Sequence, residues 1–169
     1  MATQPFPSRF QGASLGPMKT VELIVVGKLS KGPLHELCKD FEKRITWTLK
    51  IHEIESKAKD PKQVQDDEAN KIIEKLASNA FVVVLDERGN GLRSLDFANT
   101  IKKLQNSGEN HIQFVIGGAD GLTEDVRDQA NLLLSFGQQT WPHMFARVML
   151  LEQIYRAQQI LAGHPYHRE

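Results

Sequence analysis

The chain has 169 residues, with 21 Lys and Arg against 21 Asp and Glu and 40% hydrophobic residues. That is the size and composition of one globular domain, and the balanced charge excludes a strongly basic nucleic-acid coat, so any nucleic-acid contact has to come from a local patch. A single cysteine, Cys38, excludes an intramolecular disulfide and a multi-cysteine metal centre and points to a reducing compartment, while no apolar run approaches the length of a membrane span; a soluble intracellular protein is expected.

Residues 1–18 hold no acid, one arginine (Arg9) and three prolines. They read either as a flexible extension or as an organelle-targeting segment, which tends to be acid-poor and to carry Arg and Ser; the domain is expected over residues 19–169. Thr20–Val26, β-branched and closed by Gly27, predicts a buried strand. Pro33 opens a helix with Leu34, Leu37, Cys38 and Phe41 on one face. Alternation at Trp47, Leu49 and Ile51 predicts a second strand. The polar stretch from Glu55 to Asp67 reads as a loop entering a helix that carries Ile72, Ile73 and Leu76. Phe81–Leu85 predicts a third strand and Asp86–Gly91 a turn, after which Ser94 is expected to cap a helix with Leu95, Ala98, Ile101 and Leu104. Ile112–Ile116 predicts a strand running into Gly117 and Gly118. Thr123, followed by Glu124 and Asp125, predicts a capped helix toward Ala130. Leu132–Leu134 reads as a short strand and Met144–Ala162 as the longest helix, stopped by Gly163 and Pro165. Strands alternate with helices throughout, which predicts an α/β domain with a largely parallel sheet.

Charge is unevenly spread: residues 1–60 carry ten Lys/Arg and seven acids, whereas residues 109–169 carry four Arg, seven acids and four of the six histidines. Within the second stretch, Gly117-Gly118-Ala119-Asp120-Gly121 directly follows an apolar strand, where ligands bind in open α/β sheets and glycine permits close backbone approach. A tight turn would use the same residues, and the G-G-x-x-G spacing is neither the dinucleotide fingerprint nor a phosphate loop. Leu85-Asp86 with Arg88 would share that sheet edge, although an ordinary charged turn accounts for Asp86 and Arg88. The terminal His164-Pro165-Tyr166-His167-Arg168-Glu169 packs two imidazoles, a phenol, a guanidinium and a carboxylate into six residues, where termini are usually plain. His164 and His167 lack further ligands nearby and Pro165 prevents helical presentation, so no metal is expected. His143 reads as a structural histidine. Arg147 lies near a helix start, where the macrodipole disfavours a cation, and hints at an anionic partner.

Together these pieces resemble the RlmH family of SPOUT-class RNA methyltransferases. The resemblance rests on IGGADGL at Ile116–Leu122, the final HPYHRE, VVGK near the start, VVLDERG in the middle and PHMFARVMLLEQIYRA before the tail, and spans roughly residues 19–169. It implies a single-domain SPOUT methyltransferase fold, a parallel-rich sheet flanked by helices with a C-terminal trefoil knot, working as a homodimer. It implies S-adenosyl-L-methionine as cofactor and N3 of a pseudouridine in large-subunit ribosomal RNA as the methyl acceptor, with no metal and no membrane. Leu85, Gly117, Gly118 and the loop Phe136, Gly137, Gln138, Gln139, Thr140 and Trp141 match the family's cofactor contacts; the loop departs in composition, since Gln138 and Gln139 stand where small or apolar residues are common. Arg147, His164, Tyr166, His167 and Arg168 match the polar site facing RNA. His167 is the candidate for helping the N3 proton leave, Arg168 and Arg147 for holding phosphate or uracil oxygens, and Tyr166 for stacking on or bonding to the flipped base. A catalytically inactive RNA-binding protein of the same fold is the alternative. The 18-residue extension has no counterpart in compact members, which favours an organellar version, in chloroplast or mitochondrion.

Overall fold

A computed structural model describes residues 18 and 20–168; residues 1–17, where the targeting extension is expected, lie outside them. Five strands, β1 (Thr20–Val26), β2 (Leu49–Ile54), β3 (Phe81–Gly91), β4 (His111–Ile116) and β5 (Leu132–Ser135), alternate with five helices, α1 (Pro33–Arg44), α2 (Pro61–Lys75), α3 (Ser94–Asn106), α4 (Glu124–Asp128) and α5 (His143–Leu161). The sheet order is β2-β1-β4-β3-β5, and every pairing is parallel, as the alternation predicts.

The two-residue period of the strands divides the core into two layers. Val21, Leu23 and Val25 of β1, with Ile112, Phe114 and Ile116 of β4, meet α1, α3 and α5 on one face. Ile24, Val26, Val82, Val84 and Val115 meet α2 and α4 on the other. A strand covered on both sides has no polar face to show, which is why these segments read as continuous apolar runs. Crossovers toward the β2 edge pass over the first face and crossovers toward the β5 edge over the second, so all share one hand. All strand carboxyl ends therefore open on the same edge.

The structure departs from the predicted elements at particular residues. Asp86–Gly91 is not a turn but the second half of β3, which bulges after Leu85 and pairs again with β5 through Asn90 and Gly91. The bulge passes so close to β5 that a Cβ on Gly89 would lie 2.6 Å from the Leu133 carbonyl carbon and oxygen; the glycine serves a close backbone approach. Helix α2 starts at Pro61 instead of beyond Asp67, because Asp60 caps it by accepting from the Gln63 N–H at 3.1 Å. Ser94 is no cap: it is the first residue of α3, Arg93 holds the cap position without a side-chain cap bond, and the Ser94 hydroxyl donates to Gln153 Oε1 at 2.8 Å. Leu37 leaves the apolar face of α1 and is 44% exposed, whereas Met18, expected in the extension, is buried in the core.

Toward the amino ends of β1 and β4 a polar group interrupts the α2-side core. Glu22 lies 3.0 Å from His52 Nε2 and 3.1 Å from His111 Nε2. Gln113, 1% exposed, donates to Glu22 and to the Lys75 carbonyl and accepts from the Ala77 N–H, so its amide is satisfied. Burial pushes the Glu22 carboxyl up, but the hydrogen bonds to Gln113 and His52 and the charges of His111 and His52 outweigh it and hold the group below its ordinary value.

Candidate active site

A cleft of about 1100 Å³ opens at the carboxyl ends of β3, β4 and β5. Leu85, Ile116 and Leu134 come to it from the strand ends, Gly117–Thr123 from the loop after β4, and Phe136, Gly137, Gln139, Thr140 and Trp141 from the loop after β5. Of the residues matched to cofactor contacts, only Gln138 does not line it.

Each loop is shaped by its own sequence. A Cβ on Gly117 would fall 2.7 Å from Leu122 Cγ, and one on Gly118 would fall 2.7 Å from Val26 Cγ1 and 3.5 Å from Glu68 Oε2. A side chain at either position would force its neighbour, Leu122 or Val26, to shift. Gly121, at φ +74°, closes the turn by donating its N–H to the Gly118 carbonyl at 3.1 Å, and Gln65 of α2 ties the loop down through the Asp120 carbonyl at 2.9 Å. In the second loop the Ser135 hydroxyl donates to the Gly137 carbonyl and accepts from the Gly137 N–H, and Trp141 Nε1 donates to the Phe136 carbonyl at 3.3 Å.

The charge on the cleft wall discriminates between ligands. Lys62, Arg88 and Arg127 line it, and each already faces a carboxylate: Asp66 at 3.6 Å, Asp86 at 3.3 Å and Asp86 at 3.8 Å respectively. Glu87, Asp120, Glu124 and Asp125 add further negative charge. Such a wall repels a polyphosphate and suits a ligand of net positive charge such as S-adenosylmethionine, whose sulfonium and ammonium outweigh its one carboxylate. Asp86 and Arg88, readable from sequence as a simple charged turn, belong to this wall.

The residues matched to RNA contacts fall elsewhere. Arg147, expected to face RNA, is 3% exposed: it donates to Glu53 Oε2 at 2.9 Å and to the Gly27 carbonyl at 2.8 Å, and Glu53 also accepts from the Leu29 N–H. The guanidinium joins α5 to the ends of β1 and β2. Burial pushes Glu53 up, but the bond from Arg147 leads a set of contacts that bring it below its ordinary value; burial, then the Arg147 charge, pushes His143 down. His164, Tyr166, His167 and Arg168 do not line the cleft of their own chain. His164 and Arg168 are exposed. Tyr166 folds back on α5, its hydroxyl donating to Glu152 Oε1 at 3.1 Å and its ring meeting Tyr155 edge-on at 4.8 Å. Arg156 binds the same Glu152 oxygen, lies over the Tyr166 ring at 4.9 Å and reaches His167 Nδ1 at 3.1 Å.

An apolar groove of about 750 Å³ adjoins the cleft through Leu134, Phe136 and Gly137 and continues over Leu37, Phe41, Leu92, Phe97, Val148 and Met149. Sequence reasoning missed Glu53, Ser135, Glu152 and Arg156. Only Glu152 and Arg156 carried a sequence signal, an i,i+4 acid–base pair on a helix. Among the described residues no cluster of three His, Cys, Asp or Glu could hold a metal, and no helix is long and apolar enough to cross a membrane. Burial raises the Cys38 thiol to about 11, which removes it from consideration as a nucleophile.

The family model described as "Predicted SPOUT methyltransferase" matches residues 18–167. The chain is 46% identical over 147 residues to the ribosomal RNA large subunit methyltransferase H of Rhodospirillum centenum, covering 86% of this chain and 97% of that protein. It is 45% identical over 157 residues to the protein of the same name from Bradyrhizobium diazoefficiens, covering 88% and 98%. Among solved structures, a probable methylase family protein of Haemophilus influenzae aligns with a TM-score of 0.54 at 11% identity, over 90% of this chain and 72% of that one, a likeness of fold. The chain belongs to the SPOUT methyltransferase family and, within it, to the RlmH group those bacterial relatives represent.

Proposed function

We propose that the protein transfers the methyl group of S-adenosylmethionine to N3 of a pseudouridine in large-subunit ribosomal RNA, working as a homodimer. Its activity as an S-adenosylmethionine-dependent methyltransferase of large-subunit ribosomal RNA follows from its family. The observation that carries the reading is the cleft: two shaped loops at the strand ends, with a wall whose cations are already paired and whose remaining charge is acidic. The cofactor supplies an electrophilic methyl on sulfur, a reaction that asks the protein for orientation. Leu85, Gly117, Gly118 and the 136–141 loop hold it; His164, Tyr166, His167 and Arg168 engage the RNA, and buried Arg147 positions α5 beneath them.

Dimerisation is supported by what one chain lacks. Tyr166 of its tail rests on Glu152, a residue that lines the apolar groove beside the cleft, while its own cleft receives none of the described tail residues. Two copies joined at that groove would bring the tail of one to the cleft of the other. The C-terminal knot expected of the family is compatible with the path from edge strand β5 back across to α1 and α3, and the acid-free residues 1–17, ahead of the matched domain, support work in an organelle. The test is methyl transfer to ribosomes lacking the modification, followed by mapping of the product. One methyl group at N3 of a pseudouridine is expected; a methyl elsewhere overturns the N3 assignment, and no transfer overturns the activity.

A further inference from the structure

The geometry points to Arg156 and Glu152 as positioning residues for the tail, with Arg156 fixing His167 as the tautomer that carries its proton on Nε2, so that His167 serves as a hydrogen-bond donor. A guanidinium has five N–H groups and no lone pair. Its 3.1 Å contact with His167 Nδ1 therefore requires that nitrogen to accept, which leaves the ring proton on Nε2. Nδ1 is occupied and Nε2 already bears hydrogen, so neither nitrogen can take a proton from a substrate. Nε2 is covered from solvent and finds no partner among the described residues, leaving one donor uncommitted among them.

Arg156 can be that exact about His167 because it is itself held on several sides. Its Nε and Nη2 donate to Glu152 Oε1 at 3.0 and 2.6 Å, a fork that a lysine could not reproduce. The Tyr166 ring covers it at 4.9 Å, and the Tyr166 hydroxyl shares the same Glu152 oxygen. Tyr155, packed on Phe41 at 6.1 Å with Arg44 close to its ring, backs the assembly. The acceptor's N3 gives its proton to solvent water, the N3–CH3 bond forms as the S–CH3 bond breaks and S-adenosylhomocysteine leaves; the negative charge that develops on the two carbonyl oxygens flanking N3 is stabilised by a fixed N–H donor. His167 thus has a different task from the proton acceptor expected from sequence.

This inference rests on the proposed use of the tail in methyl transfer, and the experiment separates the two. Nitrogen-15 NMR of the full-length protein, without RNA, is expected to show His167 with a protonated Nε2 and an unprotonated Nδ1, and Arg156→Gln should release the ring into a mixture of tautomers. In single-turnover methylation of ribosomes lacking the modification, Arg156→Gln should lower the maximal rate about 10–150-fold, the equivalent of a charge-assisted hydrogen bond, with S-adenosylmethionine affinity unchanged within a few-fold. Arg156→Lys should restore the charge but not the rate. A proton on Nδ1 in the parent protein, or a normal rate in Arg156→Gln beside an inactive chain lacking residues 166–169, overturns the inference. A normal rate in that truncated chain instead overturns the tail's part in the proposed function, while the NMR result still decides the tautomer.

Discussion

Gly118 lines the cleft proposed to hold the cofactor, and Val26 already fills the direction a Cβ would take, at 2.7 Å. Gly118→Ala is therefore expected to weaken S-adenosylmethionine binding and also to destabilise the fold by about 1–3 kcal/mol through overpacking, or roughly 2–4 °C of melting temperature for each kcal/mol. Gly89→Ala should cost more, because the obstacle is β5 backbone and cannot rotate away. Paired melting curves and calorimetry check both; a Gly89→Ala protein as stable as the parent would contradict the bulge geometry. Glu22 sets a pH dependence at the same scale. Its folded-state value lies below the ordinary 4.5, so its stabilisation is present above that value and is lost as the pH falls through the lower one. Glu53 and Asp67 are shifted the same way. Glu22→Gln should accordingly flatten, without abolishing, the fall of melting temperature between about pH 5 and 3; an unchanged slope would assign the acid sensitivity to the other carboxylates.

At the scale of elements, α5 does the most varied work. Leu150, Leu151, Ile154 and Ala157 fill the core, the preceding loop lines the cleft, and the helix surface carries the tail. Its entry is fixed by Arg147, whose charge would be disfavoured by the helix dipole but is offset by Glu53 and the Gly27 carbonyl. Replacing Arg147 with Met keeps the volume but strips a hydrogen bond from each acceptor. A loss of about 1–3 kcal/mol is expected, measured by denaturant titration, together with weakened methylation because α5 no longer sits correctly. Full stability with lost RNA binding would instead mean that Arg147 turns outward to the substrate, as the sequence first suggests.

For the whole molecule, the proposed dimer makes the apolar groove beside the cleft the place to test whether one chain suffices. Met149, half-buried in that groove, should become intolerable at a dimer contact once charged. Met149→Glu is expected to shift the sedimenting species toward the 19.1 kDa of one chain and to abolish methylation, while S-adenosylmethionine still binds within a few-fold. A dimer that persists, or an active monomer, would move the interface or remove the need for it.

The alternation of apolar runs and helical stripes determined the α/β class, the parallel sheet and most element cores, because a strand buried on both faces and a helix with one apolar face each leave a local pattern. The glycine loop was legible for the same reason: a strand that ends in glycines announces itself. The bulge of β3 was not, since Asp86–Gly91 has turn composition and becomes strand only because β5 supplies a second set of partners. Nor was the burial of Arg147, which depends on Glu53, 94 residues away in the chain. The functional groups crowded into the tail marked themselves as unusual, but only the folded chain shows Tyr166 resting on Glu152 and His167 on Arg156. Local sequence records what a segment can bury; which charge meets which is settled when distant segments pack, and that pairing gives each functional side chain its task.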